Sequence, residues 1–314
     1  MDVTETEIPF RDGITWARIT QPEQPADGAL PLVVLHGGPG MGHDYVRNLA
    51  ALAGTGRRVV HYDQFGCGRS THRPDAPVDF WSPELFVEEF ENLVTRLGLE
   101  RYHVAGQSWG GMLGAEIAVR RPAGLASLSI MNSPASMELW VAGANRLRED
   151  LPAETREALE RHEADGTIDD PEYLAAVDVY YRRHVCRMDP YPADLVDSIA
   201  QMEAEPTVYH TMNGVNEFFV TGTLRDWTVV DRLDAVAVPT LVVAGEFDEA
   251  TPETWAPFAE RIAGARAHVF AGASHCTHLE QPELFRATIA AFLAEHDVAD
   301  PAVADPAVAV PSPS

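Results

Sequence analysis

The sequence predicts an α/β protein in which a mostly parallel sheet is flanked by helices and interrupted late in the chain by a helical insertion. Three observations carry this. First, six short apolar runs close on small or turn residues: Leu32-Val-Val-Leu35, Arg58-Val-Val-His-Tyr62, Tyr102-His-Val-Ala105, Leu128-Ser-Ile-Met131, Thr240-Leu-Val-Val-Ala244 and Ala267-His-Val-Phe270. Continuous apolar runs of this length suit strands buried on both faces, as in a parallel sheet. Second, helical patterns separate most of them, and alternating strand and helix implies βαβ units. Third, the alternation stops between about Met137 and Arg232, where helical patterning takes over.

Taken in order, the first clear helix runs from Pro83 to Leu97, with Leu85, Phe86, Phe90 and Leu93 along one side. Within the insertion, Trp140, Ala144, Leu147 and Leu151 share a helical face. Asp170-Pro171-Glu172 marks a helix start, with Asp as N-cap and Pro in the first turn, and Leu174, Val177 and Tyr181 continue as its stripe. Strand patterning resumes at Thr240, which sets the insertion between the sixth and seventh strands of the expected core. The resulting division is a first core part over 1–136, a helical cap over 137–234, a second core part over 235–297 and a disordered tail over 298–314. The tail repeats Ala-Asp-Pro-Ala-Val and closes on Pro-Ser-Pro-Ser, a low-complexity composition that does not build a core.

Composition narrows the function classes. Hydrophobic residues are 46% of the 314, enough for a large core, and the length suits one α/β domain with an inserted subdomain. The formal charge is −25, from 48 acidic against 23 basic residues, and every basic residue is arginine. So acidic a chain repels phosphate backbones, which excludes nucleic acid as an expected partner. The three cysteines, Cys67, Cys186 and Cys276, are odd in number and fit a reducing compartment rather than a disulfide framework. The acidic N-terminus lacks the apolar stretch of a signal peptide, and no apolar run approaches a membrane span. A cytoplasmic protein without a membrane partner is expected.

The chemistry begins in Tyr102-His-Val-Ala-Gly106-Gln-Ser108-Trp-Gly110-Gly, where a G-x-S-x-G pattern sits at a sharp strand-to-helix turn. A Cβ at either flanking position clashes in so tight a turn, and the turn lifts the Ser108 hydroxyl above the sheet edge. This resembles the nucleophile elbow of the α/β-hydrolase fold, with Ser108 as nucleophile. Upstream, Leu32-Val-Val-Leu-His36-Gly-Gly38-Pro-Gly40 is a strand running into a glycine turn. Such a bend directs an N–H at a reacting carbonyl oxygen. Gly38 is one candidate oxyanion donor and Trp109, directly after the nucleophile, is the other; losing one such donor typically costs about 10²–10³ in rate. The turn lacks the Lys-Ser/Thr ending of a phosphate-binding loop.

A serine nucleophile needs a base, and the base needs an acid to fix its tautomer. In this fold the order is Ser, acid, His. Beyond the insertion stand His268, His275, His278 and His296. His275 lies in a loop after a strand, where a catalytic base belongs, and His278 is its rival. For the acid, the strand from Thr240 ends in Gly245-Glu-Phe-Asp248-Glu249, and Glu246, Asp248 and Glu249 all compete at the carboxyl end of that strand.

These pieces together resemble the proline iminopeptidase family. The matching segments are His36-Gly-Gly-Pro-Gly40, Tyr62-Asp-Gln-Phe-Gly-Cys-Gly-Arg-Ser70, Gly106-Gln-Ser-Trp-Gly-Gly111, Gly245-Glu-Phe-Asp248 and Ser274-His275. The stretches Met212-Asn-Gly-Val-Asn-Glu-Phe218 and Thr221-Gly-Thr-Leu-Arg-Asp-Trp227 resemble the tricorn-interacting aminopeptidase branch most. The likeness runs from about Ile14 to Leu293. It selects Asp248 as the acid and implies a serine exopeptidase that removes an N-terminal residue from a small peptide or aminoacyl amide. The resemblance also implies that Glu217 and Glu249 hold the free ammonium of the substrate, and that Tyr209 belongs to the same site. Charge-assisted hydrogen bonds of that kind are about twice as strong as neutral ones.

The expected reaction uses neither metal nor organic cofactor. His275 takes the Ser108 proton, Gly38 and Trp109 hold the oxyanion, and water hydrolyses the acyl-enzyme. An amino-acid amidase, an esterase or a biosynthetic acyltransferase would share this machinery. A non-catalytic receptor of the same fold would not need it intact.

Overall fold

The computed structural model describes residues 1–297. Eight strands form one sheet in the order β1-β2-β4-β3-β5-β6-β7-β8: β1 Asp2–Phe10, β2 Gly13–Gln21, β3 Leu32–Leu35, β4 Val59–Asp63, β5 Tyr102–Gln107, β6 Leu125–Met131, β7 Thr240–Gly245 and β8 Arg266–Phe270. Every pairing from β4 to β8 is parallel. β1 and β2 form an antiparallel hairpin, joined to β4 in antiparallel fashion.

β3, β4, β5, β6 and β7 are buried along their whole length, as continuous apolar runs require. Two points differ from the sequence expectation. The N-terminal hairpin is not among the six apolar runs, because β1 lies at an edge and buries only Ile8 and Phe10. β8 is apolar in pattern yet is the opposite edge strand, with only Phe270 buried.

The helices are α1 Pro83–Arg96, α2 Trp109–Val119, α3 Met137–Glu149, α4 Ala153–Asp165, α5 Pro171–His184, α6 Ala193–Ala204, α7 Thr207–Met212, α8 Pro252–Arg261, α9 Thr277–Glu280 and α10 Pro282–Glu295. α1 buries Leu85, Phe86, Phe90 and Leu93, and Ser82 caps it by accepting from the Leu85 N–H. α2 is buried nearly throughout, because it packs directly on the centre of the sheet.

α3 to α7 fall between β6 and β7, as expected of the insertion. Asp170 caps α5, accepting from the Glu172 N–H at 2.8 Å. The expected stripe on α5 needs correction. Its buried residues are Tyr173, Ala176, Val177 and Tyr180, while Leu174 is 54% exposed. On α3, Trp140 and Ala144 are buried as expected, but the helix ends before Leu151.

The insertion has its own apolar cluster, built around Leu159, Tyr173, Tyr180 and Phe218. Polar contacts fasten it to the core. The Tyr45 N–H donates to Ser198 Oγ at 2.9 Å, and Arg47 pairs with Asp194. On the other side, Glu116 of α2 is buried and accepts from the Trp227 indole at 2.9 Å and from Arg232. No helix among the described residues is long and apolar enough to cross a membrane. The expected disordered tail lies outside the described residues.

Candidate active site

Ser108 ends β5 and starts α2 with φ 55° and ψ −124°, a left-handed conformation rare for a non-glycine residue. The flanking glycines are obligatory. A Cβ on Gly106 would stand 2.0 Å from the Gly110 carbonyl oxygen, and one on Gly110 would stand 2.2 Å from that of Leu35. The G-x-S-x-G spacing is therefore a packing requirement of the turn.

Gly38 has φ +112°, and a Cβ there would meet the Gly40 nitrogen at 2.5 Å. The neighbouring Gly37 N–H is taken up by the Tyr45 hydroxyl at 2.6 Å. Neither the Gly38 nor the Trp109 N–H has a hydrogen bond to another described residue. Both residues line one pocket together with Ser108, Trp140 and Glu217.

His275 and Asp248 meet as expected. His275 Nδ1 lies 2.8 Å from Asp248 Oδ1. Asp248 also accepts from the N–H groups of Gly245 and Ala250 and from Asn132 Nδ2. The rivals are otherwise engaged. His278 is buried with its Nε2 3.1 Å from the Tyr45 carbonyl oxygen, and burial pulls its pKa down to about 4. Glu246 is exposed and accepts from the Gly272 N–H. His268 lies exposed on β8 and His296 follows α10.

Ser108 and His275 come from different loops but belong to one cluster. Trp140 lines the Ser108 pocket and sets its ring 5.8 Å from that of His275. Gln107, next to the nucleophile, donates to the His275 carbonyl at 3.2 Å and accepts from Tyr45. No hydrogen bond yet ties the Ser108 hydroxyl to another described side chain, and apo catalytic contacts commonly close only with substrate. Sequence reasoning missed Gln107, Tyr45, Asn132 and Trp140 as supports. Gln107 sits inside the motif and was the one signal available; the other three become visible only once the chain is folded.

Both glutamates implied by the resemblance are at the site. Glu249 is fully buried, and neither carboxylate oxygen has a hydrogen-bond partner. Its Oε1 is 3.9 Å from His275 Nε2. Glu217 is partly buried on the turn after α7 and accepts from the Tyr209 hydroxyl at 2.8 Å. Its own carbonyl accepts from the Trp140 indole at 2.6 Å.

The electrostatics follow from this crowding. Burial pushes the Glu249 carboxyl well above the usual carboxylate range; His275 opposes that, while Glu217 and Asp248 add to it. Burial likewise raises Glu217, against the Tyr209 hydrogen bond and His275. Burial pulls the His275 pKa down, but the bonded Asp248 carboxylate, Glu249 and Glu217 together outweigh it and raise it to about 9. Two acids and a base crowd together, and among the described residues no arginine lines the adjoining pockets.

Metal ligation has one geometric candidate among the described residues, His162 with Asp170 and Glu172. Arg161 already pairs with Glu172 at 2.7 Å, and Thr167 with His162 at 2.6 Å.

Comparison with known proteins agrees with this fold. The α/β hydrolase fold family matches residues 31–282. A proline iminopeptidase of Thermoplasma volcanium is 37% identical over 266 residues, covering 84% of this chain and 89% of that protein. One from Lactobacillus helveticus is 34% identical over 301 residues, covering 95% and 100%. The crystal structure of a proline iminopeptidase from Mycobacterium smegmatis matches with a TM-score of 0.90 and 65% identity, over 94% of this chain and 99% of that one. The crystal structure of VinJ matches with 0.91 and 46%, over 93% and 99%. The chain is a hydrolase of prolyl-aminopeptidase type and belongs to the proline iminopeptidase family of α/β hydrolases.

Proposed function

We propose that this chain is a serine aminopeptidase that releases a small N-terminal residue from short peptides or aminoacyl amides. Ser108 is the nucleophile, His275 the base, Asp248 its orienting acid, and Gly38 and Trp109 the oxyanion donors. The observation that carries the reading is the pair Glu217 and Glu249. The Glu249 carboxylate has no hydrogen bond and burial raises both groups, so each gains from a further cation in the site. The ammonium of a free N-terminus supplies that cation, and Tyr209 steadies Glu217 to receive it.

Binding and chemistry are then linked. His275 must be neutral to accept the Ser108 proton, yet Glu217 and Glu249 help hold its pKa at about 9. An ammonium between the glutamates cancels much of that effect and lowers the His275 pKa toward working pH. A substrate without a free amine does not bring this change. His275 then deprotonates Ser108 as it attacks, passes the proton to the leaving amine, and activates the water that cleaves the acyl-enzyme.

The residue released is small. Met112, Pro134, Met137, Trp140 and Leu224 close around the Ser108 pocket and leave about 10 Å³, room for little more than a water or methyl group. An alanine methyl fits best, proline requires the walls to yield, and leucine or phenylalanine requires them to yield further. Three free cysteines are in keeping with a cytoplasmic setting.

A panel of prolyl, alanyl and leucyl anilides, each with a free and an acetylated amine, tests the proposal, with p-nitrophenyl esters alongside. The expected result is turnover of free-amine prolyl and alanyl substrates and loss on acetylation. Strong ester turnover indifferent to the amine would make the enzyme an esterase or acyltransferase instead.

A further inference from the structure

A cavity of about 650 Å³ lies in the insertion beside the narrow Ser108 pocket. Val177 and Tyr181 of α5, Leu195 and Ile199 of α6, with Met41 and Tyr191, give it mostly apolar walls. Its inner end is Tyr209 and Glu217, and Glu217 lines the Ser108 pocket as well. Its outer rim includes Asp169, Glu203 and His210, all exposed. The space therefore runs from solvent to the carboxylate that borders the nucleophile's pocket. Its size falls in the range of about 300–1,000 Å³ typical of small-molecule sites.

Main-chain contacts put this cavity on the leaving-group side. Val185 and Cys186, which line it, follow α5 and pack against the loop that carries His275. The Cys276 N–H donates to the Val185 carbonyl at 2.8 Å, as does Ser274 Oγ at 3.1 Å. The general acid hands its proton to the departing amine, so that amine lies against the His275 loop. The narrow Ser108 pocket, walled by Met112, Met137, Trp140 and Leu224, then takes the small acyl residue.

Charge then selects the chemistry. Among the described residues no arginine borders the cavity, and its carboxylates are Asp169, Glu203 and Glu217. The leaving group of a dipeptide ends in a carboxylate, which would leave water for an apolar space with no cation to meet it. An uncharged chain carries no such penalty and gains from burial.

We propose that this cavity binds the leaving group and that the substrate class is the aminoacyl amide of a long, uncharged, apolar amine. The assignment rests on the aminopeptidase reading above. The reaction is the same acyl transfer. The Ser108 Oγ–carbonyl bond forms, the amide C–N bond breaks, the serine proton passes through His275 to the amine, and water then hydrolyses the ester.

The experiment compares alanyl ethylamide, hexylamide and decylamide with the dipeptide Ala-Ala on the wild-type enzyme. kcat/KM should climb by up to about fourfold per added methylene until the cavity fills, with Ala-Ala lowest. A response flat in chain length, or Ala-Ala outperforming the decylamide, overturns the proposal. Ile199→Trp and Met202→Trp each add bulk from α6 and should cut the decylamide-to-ethylamide ratio by about tenfold or more. Because the ratio is taken within one protein, a partly misfolded variant still reports it. A wild-type ratio in both variants places the chain elsewhere and overturns the assignment. If acetyl-alanyl ethylamide is cleaved as fast as the free amine, the aminopeptidase reading itself fails. Dependence on the free amine with no dependence on length removes the cavity assignment alone.

Discussion

Ser108, Asp248 and His275 stand on loops that leave the carboxyl ends of β5, β7 and β8, whereas Glu217, Tyr209 and Trp140 come from the insertion. The two halves of the site are fixed by different means. In the core half, the sheet sets the positions: parallel strands in register bring three loops to one edge, and main-chain geometry dictates which residue types fit. In the insertion half, helix packing and a few side-chain hydrogen bonds decide, and nothing in local backbone geometry demands a glutamate at 217. The halves are joined at the end of α5, where the His184 carbonyl accepts from the N–H groups of both His275 and Glu249. Under the proposed function the core half supplies reaction chemistry and the insertion half supplies discrimination, with Glu249 the core residue that serves both.

The sharpest way to break this division is Ser108→Ala. It should lower kcat by about 10⁶, the scale seen when the nucleophile of a serine hydrolase is removed. A thorough single-turnover measurement on alanyl anilide checks this; a variant that keeps wild-type turnover would remove Ser108 and the core half with it. Glu217→Gln comes next and tests the other half. It should cost about 10²–10³ in kcat/KM toward free-amine substrates, the scale of losing one partner of a desolvated ion pair. Acetylated substrates should be affected far less. Equal losses on both classes would mean that Glu217 shapes the pocket rather than holding the amine.

How much was legible in the sequence follows the same division. The elbow at Ser108 could be read because Gly106 and Gly110 have no tolerance for a side chain. His275 and Asp248 could be read once the order of strands was known, although Glu246 and Glu249 were equal rivals of Asp248 until the family spacing decided. Glu217 and Tyr209 were visible only through resemblance, since a glutamate on an irregular turn has no periodicity to betray it. The α5 stripe shows the limit from another side. Leu174, Val177 and Tyr181 do share a helical face, but that face borders the cavity; only Val177 of the three is buried, packed with Tyr173, Ala176 and Tyr180. Periodicity marks an apolar face without saying whether protein or empty space lies against it. The hairpin of β1 and β2 escaped for the opposite reason, since an edge strand exposes most of its side chains.

A smaller effect sharpens the link between the halves. In the free enzyme Glu249 helps hold the His275 pKa at about 9. Glu249→Gln removes one carboxylate that favours the protonated ring, so the His275 pKa should fall. The rate of Ser108 labelling by a fluorophosphonate requires neutral His275 and no substrate amine. Its pH midpoint should therefore move to lower pH in the variant, with more labelling at neutral pH than in wild type. An unmoved midpoint would mean that Glu249 carries no charge when His275 titrates, and that the ammonium site and the base are not coupled through it.

The smallest expected effect concerns how the insertion is seated. Glu116 is buried on α2, yet its partners Arg232 and Arg120 are about half and one-third exposed, so its ion pairs are worth less than full burial would suggest. Burial alone would raise the Glu116 pKa, but the Arg232 hydrogen bonds, the Trp227 indole and Arg120 hold it below the usual carboxylate value. A depressed folded-state pKa gives stability that is fully present above the unfolded value and is lost as pH falls through the folded one. Glu116→Gln should therefore cost about 1–2 kcal/mol at neutral pH, a fall of several degrees in Tm, and almost nothing in strong acid. Thermal melts of the two proteins at pH 7 and pH 3 check the sign: the gap between them should close on acidification. Turnover at 25 °C should hardly change, because Glu116 does not line the Ser108 pocket. A gap that does not narrow between pH 7 and pH 3 would show that Glu116 acts through packing, and that the insertion is held on this side by shape rather than by charge.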